Sequence, residues 1–322
     1  MSSFFKSLKG KISDSDSYDR SYQPPLQAPP EWAPAPEVSY QFGLHNEASS
    51  DEYEAAEAFC NAHPLEPPRL LASEVVDHID AAGCRAWGLE RPRTSRFVGF
   101  VSNPGDTKSC ELIVRVQTAR ECKDTCILSN LPILAGLYDV QGKQGVYYEV
   151  QIVDMDVDEG GFVAVGTACR PYPDWRLPGW NRLSGALHLD DMRKFFEDPD
   201  GGRDYLPASQ PFTVRTGDTV GCGYEFGAGA LFFTYNGMRL PPAFTGVYLP
   251  RAAHDVYAAV GVSGAVEVKV NFGGQLFRWK EGNEWAWRVE GHVGKLGGTG
   301  LVDGEELPTY WEASSSSSRR EW

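Results

Sequence analysis

From about residue 97 onward, apolar and polar positions alternate with a period of two. Phe97–Val101, Glu111–Val116, Val146–Val153 and Phe162–Gly166 read as strands, and so do Thr219–Tyr224, Leu231–Tyr235, Val256–Val262 and Val266–Phe272. Gly, Pro, Asp and Asn residues break the runs. The clearest stretch is Gly221–Leu240. In it the aromatic run Leu231–Tyr235 suits a pleated, half-buried surface. Asn236-Gly237 then closes a two-residue hairpin, and Gly227-Ala228-Gly229 supplies a second reversal just before the run. Strands at this density, with no βαβ alternation, predict an all-β fold. The expected form is an antiparallel two-sheet β-sandwich with short N-terminal helices and disordered termini, not an α/β nucleotide-binding domain.

The pattern changes toward both ends. Residues 1–50 form a Pro-rich region, with Pro24, Pro25, Pro29, Pro30, Pro34 and Pro36 and the acidic Ser13–Ser17, and are expected to be disordered. Phe4, Phe5, Leu8 and Ile12, interleaved with Lys6, Lys9 and Lys11, fit either a short interfacial helix making weak peripheral membrane contact or a frayed, solvated terminus. Residues 51–96 carry two short helices packing on the domain that follows: Asp51–Cys60, with Asp51 at its cap, and Ser73–Ala82, capped by Ser73 and stopped at Gly83. Residues 97–290 are the sandwich and end in a Trp-rich closing segment with Trp279, Trp285 and Trp287. Residues 291–322 read as a disordered acidic, Ser-rich tail.

Composition narrows the function. With 322 residues, 42% hydrophobic and 12% aromatic, the chain has ample material for a large core. A net charge of -14 argues against a nucleic-acid binder, because phosphate backbones call for a basic surface. Seven cysteines without regular spacing read as reduced thiols of a cytoplasmic protein. No window approaches the run of about 20 apolar residues that a spanning helix needs.

Several ordered blocks resemble the SPRY (B30.2-like) domain family. Asp218-Thr219-Val220-Gly221-Cys222-Gly223 and Gly229–Gly237 are similar to its central strand and "F-F-T-x-N-G" hairpin. Gly145–Val150, Val165-Gly166, Pro178-Gly179-Trp180, Tyr257–Gly261 and Val270–Gly273 follow in the family's order over roughly residues 130 to 280. Ala258 stands where the family usually has Pro, and Asp190–Asp204 is a long insertion. The Arg176–Trp180 loop is similar to that of fungal SPRY proteins that act as adaptors for a Nedd4-type ubiquitin ligase on endosomes and vacuoles. Those relatives carry a transmembrane anchor. The resemblance implies a scaffold that binds peptides through its loops and carries no catalytic residues.

The residues support a binding role independently. Arg170–Arg182 is a long connection rich in Trp, Tyr and Arg, the residue types enriched at interface hot spots, and its prolines pre-order it. Tyr172, Trp175, Arg176, Trp180 and Arg182 are the candidate protein-binding residues, with burial as a support for the loop the competing role, above all for Trp180. Tyr248–Asp255 is a second candidate surface. His254 beside Asp255 reads as an ordinary surface or hydrogen-bonded residue, since no nucleophile accompanies it.

Gly221–Gly227 lacks the spacing of a dinucleotide loop, and Cys122 and Cys126 have no second pair to complete a zinc site. His188 with Asp190 and Asp191 leaves a remote metal-enzyme alternative. No cofactor is expected. In the tail, Leu307-Pro308-Thr309-Tyr310 matches a ligand for the aromatic groove of a WW domain. The expectation is therefore a non-catalytic adaptor. Its sandwich loops hold a protein client, and Leu307, Pro308 and Tyr310 recruit a WW-domain ubiquitin ligase, in the cytoplasm or peripherally on endosome or vacuole membranes. The alternative is a SPRY scaffold with no ubiquitin role.

Overall fold

The computed structural model describes residues 50–106, 112–199, 201–207, 213–247 and 253–294. The Pro-rich region, Phe4–Ile12, residues 248–252 and the tail with Leu307, Pro308 and Tyr310 lie outside the described residues.

Helices α1 (Ser50–Ala62) and α2 (Ser73–Ala82) precede thirteen described strands. One antiparallel sheet has seven: β1 (Gly99–Ser102), β2 (Val114–Thr118), β13 (Val266–Asn271), β4 (Gly145–Met155), β9 (Thr219–Glu225), β10 (Ala230–Tyr235) and β11 (Met238–Phe244), in that spatial order. The other has six: β3 (Thr125–Leu128), β12 (Val256–Ser263), β5 (Phe162–Cys169), β6 (Ser184–His188), β7 (Arg193–Phe196) and β8 (Arg203–Asp204).

The period of two sorts side chains between layers. Val146, Tyr148, Val150 and Ile152 of β4 enter the core between the sheets, together with Val163 and Val165 of β5 and Val260 and Val262 of β12. On β10 the adjacent aromatics part company: Phe233 enters that core, whereas Phe232 faces outward into a separate cluster with Tyr147, Phe277, Trp279 and Trp287. The Trp-rich closing segment thus covers the outer face of the seven-stranded sheet. Glu149, 4% exposed, pins the segment there by accepting hydrogen bonds from the backbone N–H groups of Arg278 and Trp279, 3.0 Å each, and from the Tyr147 hydroxyl at 2.8 Å.

Backbone geometry explains the glycines of β9. A Cβ on Gly223 would lie 2.2 Å from Cζ of Phe232, and one on Gly221 would lie 2.0 Å from the Tyr147 hydroxyl. The hairpin after β10 has Asn236 at φ 49° and Gly237 at φ 81°, the left-handed pair that a tight turn requires.

Several elements differ from the sequence expectation. The Asp190–Asp204 insertion folds as β7 and β8, and Met238–Phe244 is an edge strand despite Pro241 and Pro242. An edge tolerates them because one side needs no ladder donor, and the register shifts in its pairing with β10 absorb the mismatch. Ser73 does not cap α2: the N-cap is Ala72, with no side-chain cap bond. Asp51 falls in the first turn of α1 rather than at its cap.

Candidate functional site

The Arg170–Arg182 connection joins β5 to β6 and crosses the outer face of the six-stranded sheet. Leu177 and Trp180 pack with Phe162, Ala164 and Phe195, and Tyr172 packs with Cys126, Ala168 and Ala259. Every residue of β5 is therefore buried, on the loop side as well as the core side.

The loop is braced from within. The Tyr172 hydroxyl donates to the Leu177 carbonyl and accepts from the Asn181 N–H at 3.3 Å. Ser184 Oγ accepts from the Gly179 N–H at 2.9 Å. Gly179 has φ 96°, and a Cβ there would lie 2.6 Å from Phe195, so the turn and the close approach both call for glycine. The Arg176 guanidinium lies 4.4 Å from the Trp180 ring and donates through Nε to Asn181 Oδ1 at 3.0 Å, while its Nη1 has no hydrogen-bond partner among the described residues. Burial lowers the Arg176 pKa, with the charges of Tyr172, Glu52 and Asp124 acting the other way.

The five candidate residues therefore fall into two groups. Tyr172, Arg176 and Trp180 are 7%, 1% and 5% exposed: the rings of Tyr172 and Trp180 form the loop's underside, and Arg176 is enclosed between Trp180 and Asn181. Trp175 and Arg182 are only partly buried and meet α1. Trp175 makes an edge contact with Phe59 at 5.3 Å, and Arg182 donates to the carbonyls of Cys60 and His63. Asn181 donates to Glu57 at 3.3 Å, and Glu52 pairs with Arg96 at 2.6 Å. Sequence reasoning did not connect α1 with this loop, because no local signal links segments some 120 residues apart.

Beside the loop lies a groove of 310 Å³, lined by Pro171, Tyr172 and Asp174, by Glu90, Arg91 and Arg93, and by Cys126 and Leu128 of edge strand β3. Arg170, also in the lining, pairs with Glu90 at 3.1 Å and lies 4.2 Å from the centre of the Tyr257 ring.

The other residues singled out from the sequence are framework. His188 is 3% exposed and stacks on Phe195 at 3.9 Å. It bonds the Pro178 carbonyl through Nε2 at 2.9 Å, and burial pulls its pKa down to about 4. The imidazole therefore holds the loop in place, and among the described residues no group of three His, Cys, Asp or Glu side chains is arranged to hold a metal ion. Asp255 accepts from the Arg69 and Gly136 N–H groups at 3.0 and 2.8 Å, which ties the N-terminal segment to the sandwich. Cys122 and Cys126 are free and buried, like the four other described cysteines. No helix among the described residues is long and apolar enough to cross a membrane.

Residues 145–275 match the family model of the SPRY domain. Over 197 residues the chain is 32% identical to a SPRY domain-containing protein of Schizosaccharomyces pombe, covering 61% of this chain and 46% of that one. Over 247 residues it is 29% identical to Protein ssh4 of Sclerotinia sclerotiorum, covering 76% of this chain and 41% of the other. The chain thus spans less than half the length of these curated relatives. A crystal structure of a human SPRY domain aligns with 52% of this chain and 98% of its own, at 23% identity and a TM-score of 0.37.

Proposed function

The chain belongs to the SPRY domain family through residues 145–275, and from that premise we propose that it is a non-catalytic adaptor holding a protein client at the Arg170–Arg182 loop. The observation that carries this reading is the loop itself. Its buried side, made by Tyr172, Leu177 and Trp180, holds the backbone firmly against the sheet. A loop ordered in advance loses little entropy when a partner docks. Trp175 and Arg182 stand at its outer rim, and the adjoining groove carries guanidinium groups and carboxylates that polar side chains of a partner can meet.

The finer reading places the chain in endosomal or vacuolar protein sorting. Leu307, Pro308 and Tyr310 supply the WW-domain ligand that brings in a ubiquitin ligase. Support comes from the Leu-Pro-Thr-Tyr sequence and from the likeness to proteins named ssh4.

Affinity purification of the full chain, wild type against Trp175→Ala with Arg182→Ala, tests the client half. Loss of specific partners in the double variant is expected; an unchanged partner set would end the loop assignment. Binding of isolated WW domains to wild type and to Tyr310→Ala tests the ligase half. Equal binding, or none to either, removes it and leaves an interaction scaffold with no ubiquitin role.

A further inference from the structure

Helix α1 turns one stripe toward the sandwich: Glu52, Ala56, Phe59 and Cys60, spaced i, i+4, i+7, i+8. Its hydrogen bonds and ring contacts go chiefly to the loop read above as the client site and to Arg96 beside it. The hold is slight. Ala56 and Cys60 are the buried apolar residues of the helix, the Glu52–Arg96 pair is partly exposed, and thirteen residues are too few for a stable helix alone. The segment after it, Pro64 to Pro68, cannot continue the helix, and it is held separately through the Glu66 N–H, which donates to the Arg170 carbonyl at 2.9 Å.

The surface beneath is not fully satisfied. Arg176, 1% exposed, keeps Nη1 without a hydrogen-bond partner among the described residues, and a buried guanidinium donor left unpaired is costly. Of the carboxylates that act on it, Asp124 is partly buried and bonded to Ser263, and Glu52 is committed to Arg96. Arg96 and Arg182 add two more cations at either end of the helix seat. Arg182 already caps the carbonyls of Cys60 and His63, as a cation does at a helix C-terminus.

We propose that α1 is a built-in occupant of the docking surface, and that the client is an acidic amphipathic helix which displaces it. The stripe of α1 then describes the client: a carboxylate in the first turn to meet Arg96 and Arg176, a small residue one turn on, an aromatic to lie edge-on against Trp175, and a free C-terminal turn for Arg182. A client whose carboxylate reaches Arg176 Nη1 as well as Arg96 makes a charge-assisted bond that α1 lacks, and this is the source of its advantage. The proposal rests on the loop being the client site.

The test uses the full chain and a fluorescent, end-blocked peptide of the sequence Ser50–Ala62. Glu52→Gln with Phe59→Ala loosens α1 while leaving the loop intact. This variant is expected to bind the peptide at least ten-fold more tightly than wild type, and adding Trp175→Ala is expected to remove that gain. No gain over wild type, or a gain that survives Trp175→Ala, overturns the proposal. So does a shift of the loosened variant to a dimer that exchanges α1 between copies.

Hydrogen exchange of the wild-type chain needs no substitution. Amides of residues 56–62 are expected to exchange orders of magnitude faster than those of β4 and β12, and equal protection refutes a displaceable helix. If client recovery depends on Trp175 and Arg182 while the peptide fails to bind, the helix proposal falls and the loop assignment stands. If the peptide binds but client recovery ignores the loop, it is the loop assignment that falls, and competition with a client falls with it.

Discussion

Trp180 and Trp175 sit five residues apart in one loop, yet their removal should have very different consequences. Trp180 is 5% exposed, enclosed by Phe162, Leu177 and Phe195, with the Arg176 guanidinium 4.4 Å from its ring. A buried Trp removes about 150–250 Å² from water. At about 25 cal/mol per Å² that is worth about 4–6 kcal/mol, and large-to-small replacements in cores cost about 3–5 kcal/mol once neighbours relax. Trp180→Ala also strips the buried Arg176 of its stacking partner. A loss of about 4 kcal/mol is expected, which at a urea slope of about 3 kcal/mol/M lowers the midpoint by about 1.3 M. Trp175→Ala removes a partly buried ring with one edge contact to Phe59 and should cost about 1 kcal/mol. Urea titrations of wild type and both variants, followed by far-UV circular dichroism, decide the matter. If Trp180→Ala costs no more than Trp175→Ala, Trp180 is not the support described here, and it returns to being a candidate contact for a partner.

His188 makes stability depend on pH. Its folded pKa of about 4 lies below the ordinary 6.5, so between these values the unfolded chain binds the proton and the folded one does not, and stability falls with falling pH. Unfolding titrations at pH 6.5 and 5 should show a drop about 1.5 kcal/mol greater in wild type than in His188→Leu; identical drops would contradict it. Gly223→Ala puts a Cβ 2.2 Å from Phe232 and should destabilise by about 1–3 kcal/mol, lowering the calorimetric melting temperature. Glu149→Gln keeps the shape but turns an amide N–H₂ toward the donors of Tyr147, Arg278 or Trp279. A loss of about 1.5–3 kcal/mol and faster limited proteolysis of residues 277–287 are expected, and an unaltered digestion pattern would argue against the carboxylate as the pin.

Much of the sandwich was legible because strand alternation and turn chemistry are local. Phe232 and Phe233 point to opposite faces since neighbours on a strand must, and Asn236-Gly237 turns because those residues tolerate positive φ. The edge strands were harder to read. In β11 the Pro241-Pro242 pair looks like a break, and only an edge position with a shifted register makes it tolerable. In β7 and β8 charged residues hide the alternation, since one side of that sheet margin faces solvent.

The candidate site divides along the same line. Its composition singled out Tyr172, Trp175, Arg176, Trp180 and Arg182 as one group, and nothing in the order of residues separates them. The fold does, by laying the loop on β5 and β6 so that Tyr172 and Trp180 go under, Arg176 is enclosed beside Trp180, and Trp175 and Arg182 stay at the rim. It also brings α1 across from over a hundred residues away to cover that rim. The amino-acid order by itself determined the strands, the hairpin and the residue types of the loop, all of which depend on neighbours along the chain. Which face of that loop is buried, and what lies on the other, depends on contacts between distant segments, and only the tertiary structure could decide it.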